Sequence, residues 1–300
     1  MARDEIELHG RRVAFERRGT GPVVVLLHGL AATMRTWDRV APALAADATV
    51  ITLDLPGFGR STPPSGDHSL GASANAVRDL LDALDLGPAT IVGHSLGGGI
   101  AMQFAYQFPR RCERLVLVSS GGLGPEVGLP LRAATIPGAE LLIGLVARQP
   151  LVAATTAIGR AAAVVGIRPG AALTEYLQGC ATFVDDDARR AFVKTLRAVV
   201  DHRGQRISAT DRLHLADQLP TLIIWGTRDR LIPAHHAHAA HAQLPASRLE
   251  LFEGAGHVPH ATDPARFTCV LLDFLATTQP RRLPRVTRCP TDPSEPAPSS

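Results

Sequence analysis

The sequence predicts an α/β chain built on an open, mostly parallel sheet, and three observations carry that reading. Apolar runs rich in Val, Ile and Leu recur without alternation, as strands covered on both faces require. Stretches of helical periodicity separate them, so strand and helix take turns along the chain. At 300 residues, 45% of them hydrophobic, with a mean hydropathy of +0.08, there is enough apolar surface for one large packed core.

The elements follow in order. IELHG and RRVAFERRG, joined at His9 and Gly10, roughly alternate in polarity and read as an antiparallel hairpin. The runs suited to buried strands come next: Val23 to Leu27, Thr49 to Leu53, Thr90 to Val92, Leu115 to Val118, Leu222 to Trp225 and Leu249 to Phe252. Helices are expected over Ser73 to Leu86, Leu96 to Phe108, Ala234 to Gln243 and Pro264 to Ala276. The alternation lapses once, between Ser119 and Thr221, where the chain is rich in Ala, Leu and Gly and has helical periodicity throughout. Its last part, Asp185 to Val200, opens with three aspartates, and acidic residues in a first turn complement the helix dipole. Residues 121–214 are therefore expected to form a helical cap inserted into a core made of residues 1–120 and 215–277. Residues 278–300 are dense in Pro, Ser and Arg and are expected to be a disordered tail.

Charge and cysteine usage exclude several classes of function. The net charge is +3, from 31 basic against 28 acidic residues. They are scattered, which leaves no footprint for a nucleic-acid partner. Cys112, Cys180, Cys269 and Cys289 lie far apart without a CxxC pair, so free thiols are the simpler reading than a zinc site or a disulfide framework. The N-terminal MARDEIELHG has charges where a signal peptide needs its apolar core, and no apolar run reaches the ~18 residues of a membrane span. A soluble cytoplasmic protein is expected, with homo-oligomerisation left open.

The chemistry concentrates at Gly93-His94-Ser95-Leu96-Gly97, preceded by the apolar TIV and followed by a helix. A G-x-S-x-G pentapeptide between strand and helix forms a nucleophile elbow. Its glycines let the turn close, and the serine hydroxyl is left exposed at a helix N-terminus, where the dipole favours an oxyanion. A nucleophilic serine needs a base, and the base needs an orienting acid. Asp229 follows LIIWGTR and His257 follows LELFEGAG, each just past the end of an expected strand. Ser95, Asp229 and His257 therefore leave the same edge of the sheet, in nucleophile, acid, base order.

These residues belong to a wider set of motifs: His28-Gly29 after VVVLL, the loop from Asp54 through Gly57 and Gly59 to Ser61, GHSLGG, WGTRD and GAGH. With them the chain resembles α/β-hydrolase-fold enzymes carrying a helical cap. It is similar to actinobacterial hydrolases grouped with esterases and meta-cleavage-product hydrolases, over roughly residues 5–277. The resemblance implies a mostly parallel central sheet flanked by helices. It also implies that the backbone N–H groups of Leu30 and Leu96 form an oxyanion hole, with Ala31 as the alternative first donor.

Other residues have plainer readings. His94 is expected to support neighbouring loops, and His28 to stabilise its own loop. Asp54 also ends a strand, but the glycine-rich loop after it favours a structural role. His235, His236, His238 and His241 share i, i+3 spacing that suits a metal, but no paired carboxylate accompanies them in sequence, so a solvated helix face is expected. GFGRS lacks the Walker pattern. No cofactor or metal is expected.

The function expected is a serine hydrolase that cleaves a small carboxylic ester or related acyl compound through an acyl-enzyme. The alternative is hydrolysis of a carbon–carbon bond in a vinylogous diketone. Against it stand His28-Gly-Leu-Ala-Ala-Thr33 in place of an HGxGPG-type loop, His94 in place of asparagine, and Val258 in place of tryptophan. No arginine lies in Glu175 to Cys180, so Arg189, Arg190 or Arg203 would have to bind the substrate carboxylate. A non-catalytic binding protein is a third reading, disfavoured because all three triad residues are present.

Overall fold

The computed structural model describes residues 4–63, 66–146, 183 and 185–283. Glu175 to Cys180, the middle of the insert and most of the Pro-rich tail lie outside the described residues.

The chain begins with β1 (Asp4–Leu8) and β2 (Arg11–Arg18), paired antiparallel with Leu8 opposite Arg11. His9 and Gly10 alone make the turn, and both take positive φ, 51° and 72°. Two such residues give the turn whose twist matches that of the flanking strands. Next come β3 (Val23–Leu27), β4 (Thr49–Leu53), β5 (Ala89–His94), β6 (Cys112–Val118), β7 (Thr221–Gly226) and β8 (Arg248–Phe252). They form one eight-stranded sheet in the order β1-β2-β4-β3-β5-β6-β7-β8. β2 meets β4 antiparallel, and from β4 to β8 every pairing is parallel.

The unbroken apolar runs are explained by what covers the sheet. Along β3, Val25 and Leu27 pack into one core layer, and Val24 and Leu26 into the other. Leu115 and Leu117 against Val116 and Val118 repeat the division on β6, as Ile223 and Trp225 against Leu222 and Ile224 do on β7. Since successive side chains point to opposite faces, a strand covered twice has no polar face to show.

Nine α-helices lie among the described residues: α1 (Ala41–Leu44), α2 (Leu70–Ala83), α3 (Leu96–Gln107), α4 (Leu129–Ala133), α5 (Ala139–Val146), α6 (Asp186–Val199), α7 (His235–Gln243), α8 (Pro259–Thr262) and α9 (Pro264–Thr277). α2 and α3 cover the first face, with Leu80, Leu81, Ile100 and Phe104 buried. α1 and α9 cover the second, with Leu44, Phe267, Leu271 and Phe274 buried beside Trp37. α2 starts three residues before the position expected from periodicity, because the Ser69 hydroxyl accepts from Ala72 N at 3.1 Å and caps it. α6 is capped in the same way, Asp185 accepting from Ala188 N at 2.8 Å. Within the inserted segment Arg197 of α6 bonds Glu140 of α5 at 3.0 Å, while Phe192 and Leu196 turn into the first core layer. After α9 the chain stays against β6 as far as it is described, Arg281 N donating to Glu113 O at 3.0 Å.

Both edges of the sheet carry charge. β1 exposes Asp4, Glu5 and Glu7, with Glu5 paired to Arg60 at 2.5 Å. On β8, Arg248 pairs with Glu250 at 2.7 Å and with Asp273.

Candidate active site

β5 ends at His94 and α3 begins at Leu96, leaving Ser95 alone to make the turn at φ 54°, ψ −114°. A non-glycine residue in that region stores strain. Close packing on both sides holds it there: a Cβ on Gly93 would lie 2.1 Å from Gly97 O, and one on Gly97 would lie 2.5 Å from Leu27 O. The G-x-S-x-G spacing is therefore a packing requirement. Leu96, as the first residue of α3, has an N–H with no acceptor inside its helix. The loop after β3 comes against the same turn, since a Cβ on Gly29 would lie 3.2 Å from Ser95 Cβ. Ser95, Leu30 and Leu96 line one cavity. Ala31, turned by φ 58°, does not line it.

Asp229 lies three residues beyond β7, its carboxyl buried. Oδ1 accepts from Leu231 N at 2.8 Å and Ile232 N at 2.9 Å, and Oδ2 accepts from His257 Nδ1 at 2.8 Å. A carboxylate only accepts, so Nδ1 of His257 carries a proton, and in the neutral imidazole Nε2 holds the lone pair. The Gly254–Gly256 loop brings His257 back over β7, where a Cβ on Gly226 would lie 2.1 Å from Gly256 O.

Three buried histidines pack around this arrangement. His94 Nε2 donates to the His257 carbonyl at 2.8 Å, and its ring lies 4.9 Å from that of His257 and 4.6 Å from that of His260. His260 bonds Thr36 Oγ1 through Nε2 at 2.8 Å. His28 accepts from Leu55 N at 2.9 Å on Nε2 and donates from Nδ1 to Gly29 O at 2.8 Å, which fixes the loop bearing Leu30. Burial holds His28 below the ordinary imidazole range and His94 well below it, and burial with His257 nearby takes His260 down to about 3. All three are neutral near pH 7 and serve as supports.

Asp54 serves structure as well: Oδ1 accepts from Met34 N at 2.8 Å and Oδ2 from Arg60 N at 2.9 Å. A Cβ on Gly59 would meet its carboxylate at 2.2 Å, so the glycine-rich loop wraps that group.

Among the described residues the side chains of the cavity wall are apolar apart from Ser95 and Gln205: Leu70, Val127, Leu131, Leu196, Ile207 and Ile232 stand around the serine. Gln205 escaped the sequence reading because nothing local marks it. It accepts from Gly122 N at 2.6 Å and donates to Glu126 O at 2.9 Å, tying down the start of the insert. Arg189 and Arg190 are paired on α6 with Asp186 and Asp187, and neither these nor Arg203 line the cavity. The histidine helix departs from expectation. His236 is only 2% exposed, and Glu126, distant in sequence, brings a carboxylate oxygen to 2.5 Å from its Nε2.

A parallel sheet with a strained serine between strand and helix, and an acid-held histidine beyond later strands, defines a hydrolase of the α/β class. The chain belongs to the alpha/beta hydrolase fold family, which matches residues 22–264. It is 47% identical over 279 residues to an uncharacterized protein of Mycobacterium tuberculosis, covering 91% of this chain and 81% of that one. A 2-hydroxy-6-oxo-6-phenylhexa-2,4-dienoate hydrolase of Burkholderia cepacia is 29% identical over 91% of this chain and 94% of its own length. Among solved structures, an esterase of Rhodococcus superposes with a TM-score of 0.68 at 24% identity, covering 92% of this chain and 99% of that one. A bromoperoxidase of Bacillus anthracis gives 0.71 at 22% identity, with 92% and 100% covered. At such identities the structural likeness establishes the fold.

Proposed function

We propose that this hydrolase cleaves small carboxylic esters through an acyl-enzyme, with Ser95 as nucleophile, His257 as general base and then acid, and Asp229 holding the imidazole. The observation that carries the reading is the 2.8 Å contact from His257 Nδ1 to Asp229 Oδ2, which commits the Nδ1 proton and leaves Nε2 to take the serine proton. Ser95 Oγ attacks the carbonyl carbon, and the oxygen that gains charge is received by the N–H groups of Leu30 and Leu96. His257 then protonates the leaving alcohol, and water activated by the same Nε2 releases the acid.

An ester needs nothing beyond these groups. The apolar wall of Leu70, Val127, Leu131 and Leu196 fits an uncharged acyl chain, and the described parts of the insert, which supply Val127, Leu131 and Leu196, act as the cap that bounds it. The second reading, carbon–carbon bond hydrolysis, draws support from the Burkholderia cepacia relative. That chemistry requires a group for the substrate's carboxylate, and no cationic side chain lines the cavity among the described residues.

Labelling with a fluorophosphonate probe tests the nucleophile. The wild-type chain is expected to be labelled at Ser95 and the Ser95→Ala chain not at all, with turnover down roughly 10⁶-fold. Undiminished labelling of the variant removes the assignment. Comparing kcat/KM for butyrate esters and for a ring-cleavage diketone then separates the two chemistries.

A further inference from the structure

Away from Ser95 the fold gathers three potential metal ligands that sequence spacing could not reveal. His235 and His236 open α7, and Glu126 belongs to the segment that follows β6. Glu126 Oε2 lies 2.5 Å from His236 Nε2, and Oε1 lies 3.5 Å from His235 Nε2. One ligand atom from each residue falls within 4.8 Å of the other two. The two imidazoles meet edge to face, 4.7 Å apart. His238 and His241, which share the helix, take no part in the group; His241 Nδ1 bonds Ser247 Oγ at 2.7 Å.

Two imidazoles and one carboxylate, without a thiolate, suit a borderline divalent ion of the zinc class. A tetrahedral zinc with arms of about 2.0–2.1 Å sets its donors about 3.4 Å apart. The Glu126–His235 separation of 3.5 Å already meets that spacing. The shorter Glu126–His236 contact is a hydrogen bond that a metal would replace, and the carboxylate can give way because the Glu126 side chain is 53% exposed. His236 itself is held in place, 2% exposed. Space at its donor atom is kept by Gly124, where a Cβ would lie 2.4 Å from His236 Nε2. His235, 61% exposed, leaves the outer side open for the ion to arrive and for water to complete its coordination.

We propose that Glu126, His235 and His236 form a three-ligand site for a divalent transition metal, represented by zinc, that fastens the start of the inserted segment to the loop carrying Asp229. The backbone already joins these two segments through Gly128 N and Leu231 O at 2.8 Å. An ion at this place draws on both walls of the cavity: Gln205 bonds the Glu126 carbonyl, and Ile232, four residues before His236, donates its N–H to Asp229. The ion's role is to brace the structure, and the hydrolytic steps do not pass through it.

The test is calorimetric titration of zinc chloride into the full chain after chelator treatment and dialysis, alongside thermal unfolding with and without zinc. One zinc per chain is expected to bind, and to raise the unfolding temperature. His235→Ala and Glu126→Gln change exposed side chains, so they leave the fold intact, and each is expected to weaken binding roughly tenfold or more. His238→Ala and His241→Ala are expected to bind as the wild type does. Absence of binding by the wild-type chain at about 100 µM zinc, or wild-type affinity in either His235→Ala or Glu126→Gln, overturns the proposal.

Discussion

Replacing Asp229 with Asn probes the proposed base at a single atom. The carboxylate receives three hydrogen bonds, two from Leu231 N and Ile232 N on Oδ1 and one from His257 Nδ1 on Oδ2. An asparagine has one oxygen to offer. Facing it toward His257 sets the amide NH₂ against two backbone donors, each a lost buried bond worth about 1–3 kcal/mol. The other orientation confronts only one donor, so it wins, and the NH₂ then faces His257. The imidazole answers by moving its proton from Nδ1 to Nε2, the nitrogen that must accept the serine proton. A tautomer inversion of this kind lowers kcat about 10⁴-fold, or about 5.5 kcal/mol at 1.36 kcal/mol per decade. Stopped-time hydrolysis of an activated butyrate ester measures the loss, and circular dichroism confirms the fold. A correctly folded variant within tenfold of wild type would refute both the tautomer assignment and the role given to Asp229.

Asp54→Asn is the matching control. It loses one charge-assisted bond to Met34 N or Arg60 N and is expected to unfold at lower denaturant, by about 1–3 kcal/mol, while kcat falls far less than in Asp229→Asn. The same denaturation assay checks the elbow. Gly97→Ala sets a Cβ 2.5 Å from Leu27 O and is expected to cost about 3 kcal/mol; a fully stable variant would mean that the close approach is not required. Acid sensitivity is expected as well. Unfolded His260 titrates near 6.5 and folded His260 near about 3, so between those values the unfolded chain holds the extra proton and stability falls as pH falls, by about 1.4 kcal/mol per pH unit. Urea midpoints at about pH 7 and about pH 5 should differ, and less so in His260→Gln; a flat profile contradicts the burial argument. Finally, butyrate esters should exceed hemisuccinate esters in kcat/KM by roughly 100-fold, because the cavity wall has no cationic side chain among the described residues to pair with an acyl carboxylate; equal values would point to a cation near the acyl chain.

The sheet was legible because burial on both faces leaves a strong imprint: VVVLL, TVITL and TLIIWG have no polar side to confuse the reading. The positions of Ser95, Asp229 and His257 beyond strands were legible for a related reason, since packing requires glycine at Gly93, Gly97 and Gly226, and Gly254 before His257 takes a positive φ. The start of α2 was misplaced because Ser69 acts through a hydroxyl cap, which does not change apolar periodicity. Gln205 and the Glu126–His236 contact could not be read at all. Each depends on segments brought together only when β6 and β7 pair in parallel, and no short-range pattern encodes that meeting.

The charged rims of the sheet govern what happens when copies of the chain crowd together. An unpaired strand is a template for another strand, and eight strands ending in two bare edges would invite growth from molecule to molecule. A second β1 laid antiparallel along the first would set Glu5 and Glu7 among their own counterparts, and like charges directly opposite oppose pairing. At the far rim, a strand joining β8 would have to compete with Arg248, Glu250 and Asp273 for charges they already share. Fibril-like stacking is thereby discouraged at both ends, and the unbroken apolar strands stay enclosed between charged rims.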